Sequence, residues 1–335
     1  VTATSSSVIT RATAVANPNI ALIKYWGKRD EALILPMTGS LSLTLDAAPT
    51  TTTVSVLEGA PDDMVRLGGE ALTGTARERV VRFVDLVRAR TGRNERVEVD
   101  SVNLIPTGAG LASSASGFAA LATATAAAFD LALTPRDLSR LARRGSGSAS
   151  RSIFGGLVEW RPGSDEESYA EPVQGTVPEL GMVLAVLVGG PKSVSSREAM
   201  RRTVETSPFY PAWLTDVPTE LVRMRAAIGR GDVTAIGEIA ERNALRMHAT
   251  MFGAVPPVVY WAPDTLVLLE LVRSLRAGGL ECYATMDAGP NVKVLCRATD
   301  VDAVAEAVLA ARPGTAVIRA RSGEGARLIE NGDER

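Results

Sequence analysis

The chain predicts an α+β fold. Segments with the two-residue period of strands mix with segments of helical period, without the strict β-α-β alternation of a doubly wound sheet. A length of 335 residues suggests two domains. Apolar residues at 46% and charged residues at 22% are the make-up of a globular protein with a real core.

The elements follow in order. Residues 8–23 alternate apolar and small polar side chains and read as a strand leading into Lys24. The run SLSLTL at 40–45 predicts a half-buried strand, with the β-branched run at 50–57 as its partner. Val80, Val81, Val84, Leu86 and Val87 recur at helical spacing and predict a helix over 76–90, and 97–103 reads as a short strand. Residues 114–131 form a buried helix, and Thr134-Pro135 starts another, since proline suits a first helical position. A strand at 155–160 precedes the acidic, proline-bearing stretch 162–178, read as a surface loop near the domain boundary. The domains are therefore drawn as 1–180 and 181–335. The run GMVLAVLV at 181–188 is a fully buried strand, helices dominate 197–249, and another covers 264–277. Strands at 282–285 and 292–296 make a hairpin-like pair around the turn Asp287-Ala288-Gly289-Pro290, and a helix at 301–311 and a strand at 315–319 close the chain.

Composition removes several functions. The net charge of −2 lacks the basic excess of a nucleic-acid binder, and the arginines in 140–144 and at 201–202 read as solvated helix faces. Cys282 and Cys296, the only cysteines, offer neither a disulfide framework nor a zinc spacing. The single histidine, His248, argues against histidine metal sites and a Ser-His-Asp triad. Chemistry then falls to carboxylates, lysines, arginines and hydroxyls. The opening VTATSSSVITRATAVA is not a secretory signal, and no apolar run reaches the roughly 18 residues of a membrane span. A cytoplasmic protein without membrane partners is expected.

Two distant stretches carry the strongest signal. PTGAGLASSASG at 106–117 is a small-residue loop running into an alanine-rich helix. Backbone N–H groups of such a loop approach an anion closely, and the helix's first turn adds about half a positive charge. Pro106, Gly108, Ala109, Gly110, Leu111, Ala112, Ser113 and Ser114 are the candidate phosphate cradle, and the two serines could offer hydroxyls to phosphate or magnesium. Neither a P-loop nor a GxGxxG pattern is present: Gly27-Lys28 is followed by Arg29, and Gly108 and Gly110 by Leu-Ala-Ser. The other stretch, 17–30, sets Lys24 and Lys28 around Tyr25 and Trp26. GSGSASR at 145–151 ends in Arg151, suited to grip a carboxylate or phosphate bidentately. Asp287 sits in the DAGPN turn, and SVSSR at 193–197 supplies hydroxyls or a helix cap. Alone, each segment also fits a plain structural role: a packing turn, an exposed lysine pair, a linker, a turn aspartate. Cations beside a phosphate cradle suggest a nucleotide and a second anionic substrate.

In order and spelling, seven segments resemble the diphosphomevalonate decarboxylases of the GHMP kinase superfamily: NIALIKYWGKRD, SLSLTL, PTGAGLASSASGFAAL, GSGSASRSIFGG, VSSREAM, MHATMFGAVPP and TMDAGPNVKVL. One departure is Met37-Thr38-Gly39, where many relatives carry an asparagine. The resemblance implies a two-domain fold, with an N-terminal domain like domain 2 of ribosomal protein S5, a ferredoxin-like C-terminal domain, and the site in the cleft between. It implies phosphorylation of the 3-hydroxyl of mevalonate diphosphate by ATP with Mg²⁺, followed by loss of phosphate and CO₂ to give isopentenyl diphosphate. Asp287 matches the aspartate that positions or deprotonates the hydroxyl, Arg151 the arginine on the substrate carboxylate, and Lys24 the cation at the transferring phosphate. Tyr25, Trp26, Gly27 and Lys28 match the substrate-binding run, facing Ser146, Gly147, Ser148, Ala149 and Ser150, with Ser195, Ser196 and, by a looser match, Arg79 toward the diphosphate. A homodimer is implied as well. Three rivals stand beside this reading: a decarboxylase of mevalonate monophosphate, a 3-kinase that does not decarboxylate, and a silent binding protein of the same fold. The 3-kinases would lose part of the Asp, Lys and Arg set, and a silent protein the phosphate loop or the aspartate; here all stand.

Overall fold

The computed structural model describes residues 7–103, 113–175, 178–187 and 194–329. Where one strand is expected over 8–23 there are two, β1 (Ser7–Ala16) and β2 (Asn19–Ile23), in different sheets. Pro18 stands between them; it has no N–H for a ladder and a fixed φ, so the chain leaves one sheet there and enters another. The small ribbon β3 (Lys28–Asp30) and β4 (Leu35–Pro36) follows, then β5 (Ser40–Thr44), β6 (Thr50–Glu58), β7 (Met64–Leu67) and β8 (Glu70–Ala71). Next come α1 (Gly74–Thr91), β9 (Arg96–Asn103), α2 (Ser113–Ala128), α3 (Pro135–Gly145) and the short α4 (Ala149–Ser152). β10 (Leu157–Trp160) and β11 (Ala170–Pro172) end this half; β11 lies inside the stretch expected to be loop.

The second half runs β12 (Leu180–Val186), α5 (Ser196–Thr206), α6 (Tyr210–Gly229), α7 (Val233–Phe252), α8 (Pro263–Ala277), β13 (Cys282–Met286), β14 (Val292–Arg297), α9 (Val301–Ala311) and β15 (Ala316–Arg321). Its antiparallel sheet has the order β13-β14-β12-β15, the ferredoxin-like arrangement expected. β16 (Arg327–Ile329) then returns to pair with β1 at the edge of the first sheet, whose order is β16-β1-β6-β9-β7-β8. Among the described residues no helix is long and apolar enough to cross a membrane.

Two expectations about strands need correction. β5 does not pair with β6: it lies between β2 and β10, while β6 lies between β1 and β9. Nor is β5 half-exposed, because every residue in it is buried. Its polar face meets polar partners instead of water: Ser40 and Ser42 take the guanidinium of Arg151, and Thr44 Oγ1 donates to the Phe154 carbonyl. Arg143 likewise is no solvated surface group. Its buried guanidinium donates to the carbonyls of Leu33 and Ser168 and pairs with Asp165, pinning the stretch after β10 onto α3.

Packing fixes the relation between the halves. The alanines of α2 let it lie close on β6 and β1, over a core that includes Val54, Val56, Val97 and Val99. A second core spans both halves: Ile20, Leu22 and Ile23 of β2 meet Met182 and Leu184 of β12, Ile228 of α6, and Ile236 and Met247 of α7. α7 packs on both β2 and β13. The ends of those two strands, which carry Lys24 and Asp287, are thereby held side by side.

Candidate active site

Lys24, just past β2, donates from Nζ to Asp287 Oδ1 at 2.7 Å. Lys293 on β14 places Nζ 3.1 Å from Asp287 Oδ2. Both lysines are buried, at 1% and 2% exposure, whereas a third of the Asp287 side chain stays open. Burial opposes ionisation of Asp287, but the Lys24 and Lys293 charges outweigh it and hold the carboxyl far below the usual range. Burial pushes the Lys24 ammonium down to about 8; Asp287 pulls it back up, and Lys293 and Arg151 press it further down.

The position of Lys24 is set through its backbone. Its N–H donates to Asn243 Oδ1 at 2.8 Å on α7, and Asn243 Nδ2 donates to the buried Glu220 at 2.6 Å. Glu220 also takes Arg242 Nε at 3.1 Å. His248, one turn further along α7 and fully buried, packs 5.2 Å from the Trp261 ring. Burial first, then the Lys24 charge, pushes its imidazole down to about 3, so it is neutral at ordinary pH.

Arg151 lies at the same cluster, 2% exposed and pushed by burial to about 10, still charged at neutral pH. Its Nη1 donates to Ser40 Oγ at 2.5 Å and its Nε to Ser42 Oγ at 2.9 Å and Asn19 Oδ1 at 3.3 Å. Asn19 in turn donates to the Ser148 carbonyl and Ser152 Oγ, tying β2 to the loop of Ser146, Gly147, Ser148, Ala149 and Ser150. Gly147 is required by contact: a Cβ there would lie 2.8 Å from Trp160 and 2.9 Å from Tyr25. Those two rings stack edge to face at 4.8 Å and wall the site. Gly27 is required by conformation, with φ of +110°, and by the Tyr210 hydroxyl, which donates to the Trp26 carbonyl at 2.8 Å.

The remaining expected residues are more dispersed. Lys28 pairs with Glu31 at 2.5 Å. Ser195 caps α5 by accepting from the Glu198 N–H, and Ser196 follows it as the first residue of that helix. Arg79 donates to the Gly145 carbonyl at 2.6 Å and stacks 4.5 Å over Phe118; burial and the nearby Arg197 charge press it down to about 10. It lines a cavity of about 210 Å³ with Val65, Leu72, Phe118, Leu121 and Ser114. Ser114 Oγ, in the first turn of α2, lies 3.3 Å from Ser146 Oγ. Pro106, Gly108, Ala109, Gly110, Leu111 and Ala112, and the side chain of Ser113, lie outside what is described. Sequence reasoning passes over Lys293, Asn243, Asn19, Ser40, Ser42 and Arg197. Lys293 carried one usable signal, a charged residue inside the otherwise apolar run 292–296.

Comparison with known proteins agrees over nearly the whole chain. Residues 16–170 match the family of the diphosphomevalonate decarboxylase-like N-terminal domain, and residues 182–329 that of the mevalonate 5-diphosphate decarboxylase C-terminal domain. A solved mevalonate diphosphate decarboxylase from Enterococcus faecalis is 47% identical, with a TM-score of 0.90 over 96% of this chain and 99% of that one. The human diphosphomevalonate decarboxylase is 37% identical over 91% of this chain and 81% of its own length. The phosphomevalonate decarboxylase of Haloferax volcanii is 34% identical over 89% of this chain and 92% of its own. With both of its halves matched and its two-domain α+β fold shared, the chain belongs to the diphosphomevalonate decarboxylase family.

Proposed function

We propose that this chain decarboxylates mevalonate 5-diphosphate to isopentenyl diphosphate at the expense of ATP, with Asp287, Lys24 and Arg151 as its catalytic set. The observation that carries this reading is the meeting of residues remote in sequence in one buried cluster, where three cations face a single carboxylate. Surplus positive charge of that kind suits a phosphoryl group in transit, whose charge lies on its non-bridging oxygens.

The 3-hydroxyl donates its hydrogen bond to the open side of Asp287. Its oxygen attacks the γ-phosphorus, the bond to the ADP oxygen breaks, and the proton passes to Asp287. Lys24 faces the oxygens of the phosphoryl group. Phosphorylation replaces hydroxide, a poor leaving group, with phosphate. The C–O bond then breaks, the electron pair of the C–CO₂ bond closes the double bond, and CO₂ departs. Arg151, held by Ser40, Ser42 and Asn19, aligns the carboxylate for that cleavage.

ATP is held by its phosphates along residues 106–114. Magnesium would accompany it as charge partner, and Ser114 would offer a hard oxygen donor of the kind such an ion takes. The substrate diphosphate lies toward Lys28, Arg79, Ser195 and Ser196, with Arg197 as a further cation. A division near residue 180, homodimer assembly and a cytoplasmic setting belong to the same proposal. The first is supported by the start of a new sheet at Leu180 and the second by the family resemblance.

One observation favours a second reading, a monophosphate decarboxylase: Lys28 is already engaged by Glu31. Comparing kcat/KM for the two substrates decides between them. The diphosphate reading expects at least a tenfold advantage for the diphosphate, about what one charge-assisted phosphate contact supplies. A better rate with the monophosphate would reassign the substrate and leave the chemistry in place.

A further inference from the structure

Lys293 has no part in the reaction as written, yet its ammonium sits 3.1 Å from the second oxygen of Asp287. It comes from β14, directly across the ladder from Thr285 of β13, two residues before the aspartate. Its neighbours on the strand, Val292, Val294, Leu295 and Cys296, are all buried and apolar or weakly polar. A leucine or methionine would fill such a position without the cost of taking an ammonium out of water. The contact that Lys293 makes is with Asp287, so its effect on the reaction runs through that carboxylate.

We propose that Lys293 is a positioning residue, which fixes the rotation of the Asp287 carboxylate by holding Oδ2. The inference rests on the assignment of Asp287 and Lys24 made above. The last torsion of an aspartate is broad, so a carboxylate anchored at one oxygen pivots. With one ammonium on each oxygen its plane is set, and each oxygen keeps a further lone pair for the substrate hydroxyl. The charged and titratable groups around Lys24 are Asp287 from the turn after β13, Lys293 from β14, Arg151 from α4, and the neutral His248 from α7. Arg151 and Lys293 share the sign of Lys24, so deleting Lys293 makes the Lys24 proton harder to remove.

Lys293→Met and Lys293→Gln in the full chain, assayed with ATP and mevalonate diphosphate from about pH 6 to 10, test this. Lys293→Met should lower kcat about tenfold with KM for ATP unchanged, and move the alkaline limb of kcat up by about one pH unit. Lys293→Gln should recover most of kcat, because its amide N–H still donates to Oδ2, yet keep the displaced limb. An alkaline limb left in place in the folded variants overturns the proposal; if only Lys293→Gln folds, its limb decides alone. Asp287→Asn run in parallel separates the two levels. Full activity in Asp287→Asn sinks the assignment beneath. An inactive Asp287→Asn beside native profiles in both Lys293 variants sinks the Lys293 inference only.

Discussion

A carboxylate held between two ammonium groups is a weak base, and that limits what Asp287 can do. It accepts the hydrogen bond of an alcohol readily but takes the proton only once the alcohol oxygen is bonding to phosphorus, which suits a loose phosphoryl-transfer transition state. Asp287→Asn should keep the fold and the ATP affinity while losing about 10³-fold in turnover, the scale of lost proton acceptance plus misorientation. An ADP-release assay showing more than a tenth of native turnover would remove Asp287 from the mechanism. Lys24 gives a pH signature. Its ammonium is held at about 8, so kcat should be flat near neutrality and decline as pH rises through that value, because the neutral amine no longer offsets phosphoryl charge. Arg151→Lys should be far from conservative, since lysine keeps the charge but not the planar fork that meets Ser40, Ser42 and Asn19. Carbon dioxide release should fall steeply with calorimetric ATP affinity unchanged; equal weakening of both would assign the arginine a purely structural role.

At the level of elements, α7 is the part that makes the site. Through Asn243 it holds the backbone of Lys24, and through His248 it fills the space beside the Asp287 turn. Asn243→Ala leaves the Lys24 N–H and a Glu220 oxygen without their partner, so urea unfolding should show a loss of about 1–3 kcal/mol. A loss within error would show that water or a rearranged Glu220 replaces the amide. His248 has its folded pKa well below its ordinary 6.5, so the unfolded chain binds the extra proton. Its contribution is therefore intact above pH 6.5 and is lost as pH falls, at up to about 1.4 kcal/mol per pH unit. Between pH 6.5 and 5 the stability of His248→Gln should fall less steeply than that of the native chain; parallel slopes would mean that His248 is not buried neutral. Helices were the legible elements, since α1 and α3 follow directly from apolar spacing and from proline at a helix start. Strand partners were not. The alternation of SLSLTL speaks of one polar face, but whether that face meets water or an arginine depends on α4, more than a hundred residues away. Pro18 was the available cue that β1 and β2 belong to different sheets.

The molecule as a whole is two layered halves joined by an apolar core that spans both, with the proposed catalytic groups at their seam. That seam explains why the chemistry was partly readable from sequence. Glycine- and serine-rich loops, a lysine beside Trp26 and an aspartate in a DAGPN turn are local spellings. The supports Lys293, Asn243 and Asn19 are ordinary residues whose meaning appears only when the fold brings them against Asp287, Lys24 and Arg151. The same seam would let one chain couple two events that could run separately, the phosphorylation proposed at Asp287 and the C–C cleavage proposed at Arg151. The direct test of that coupling is the ratio of CO₂ to ADP released from mevalonate 5-diphosphate labelled at its carboxyl carbon, with the product identified by mass. The account predicts equal amounts of the two, with isopentenyl diphosphate as product. ADP released without labelled CO₂ would make the protein a 3-kinase and contradict it.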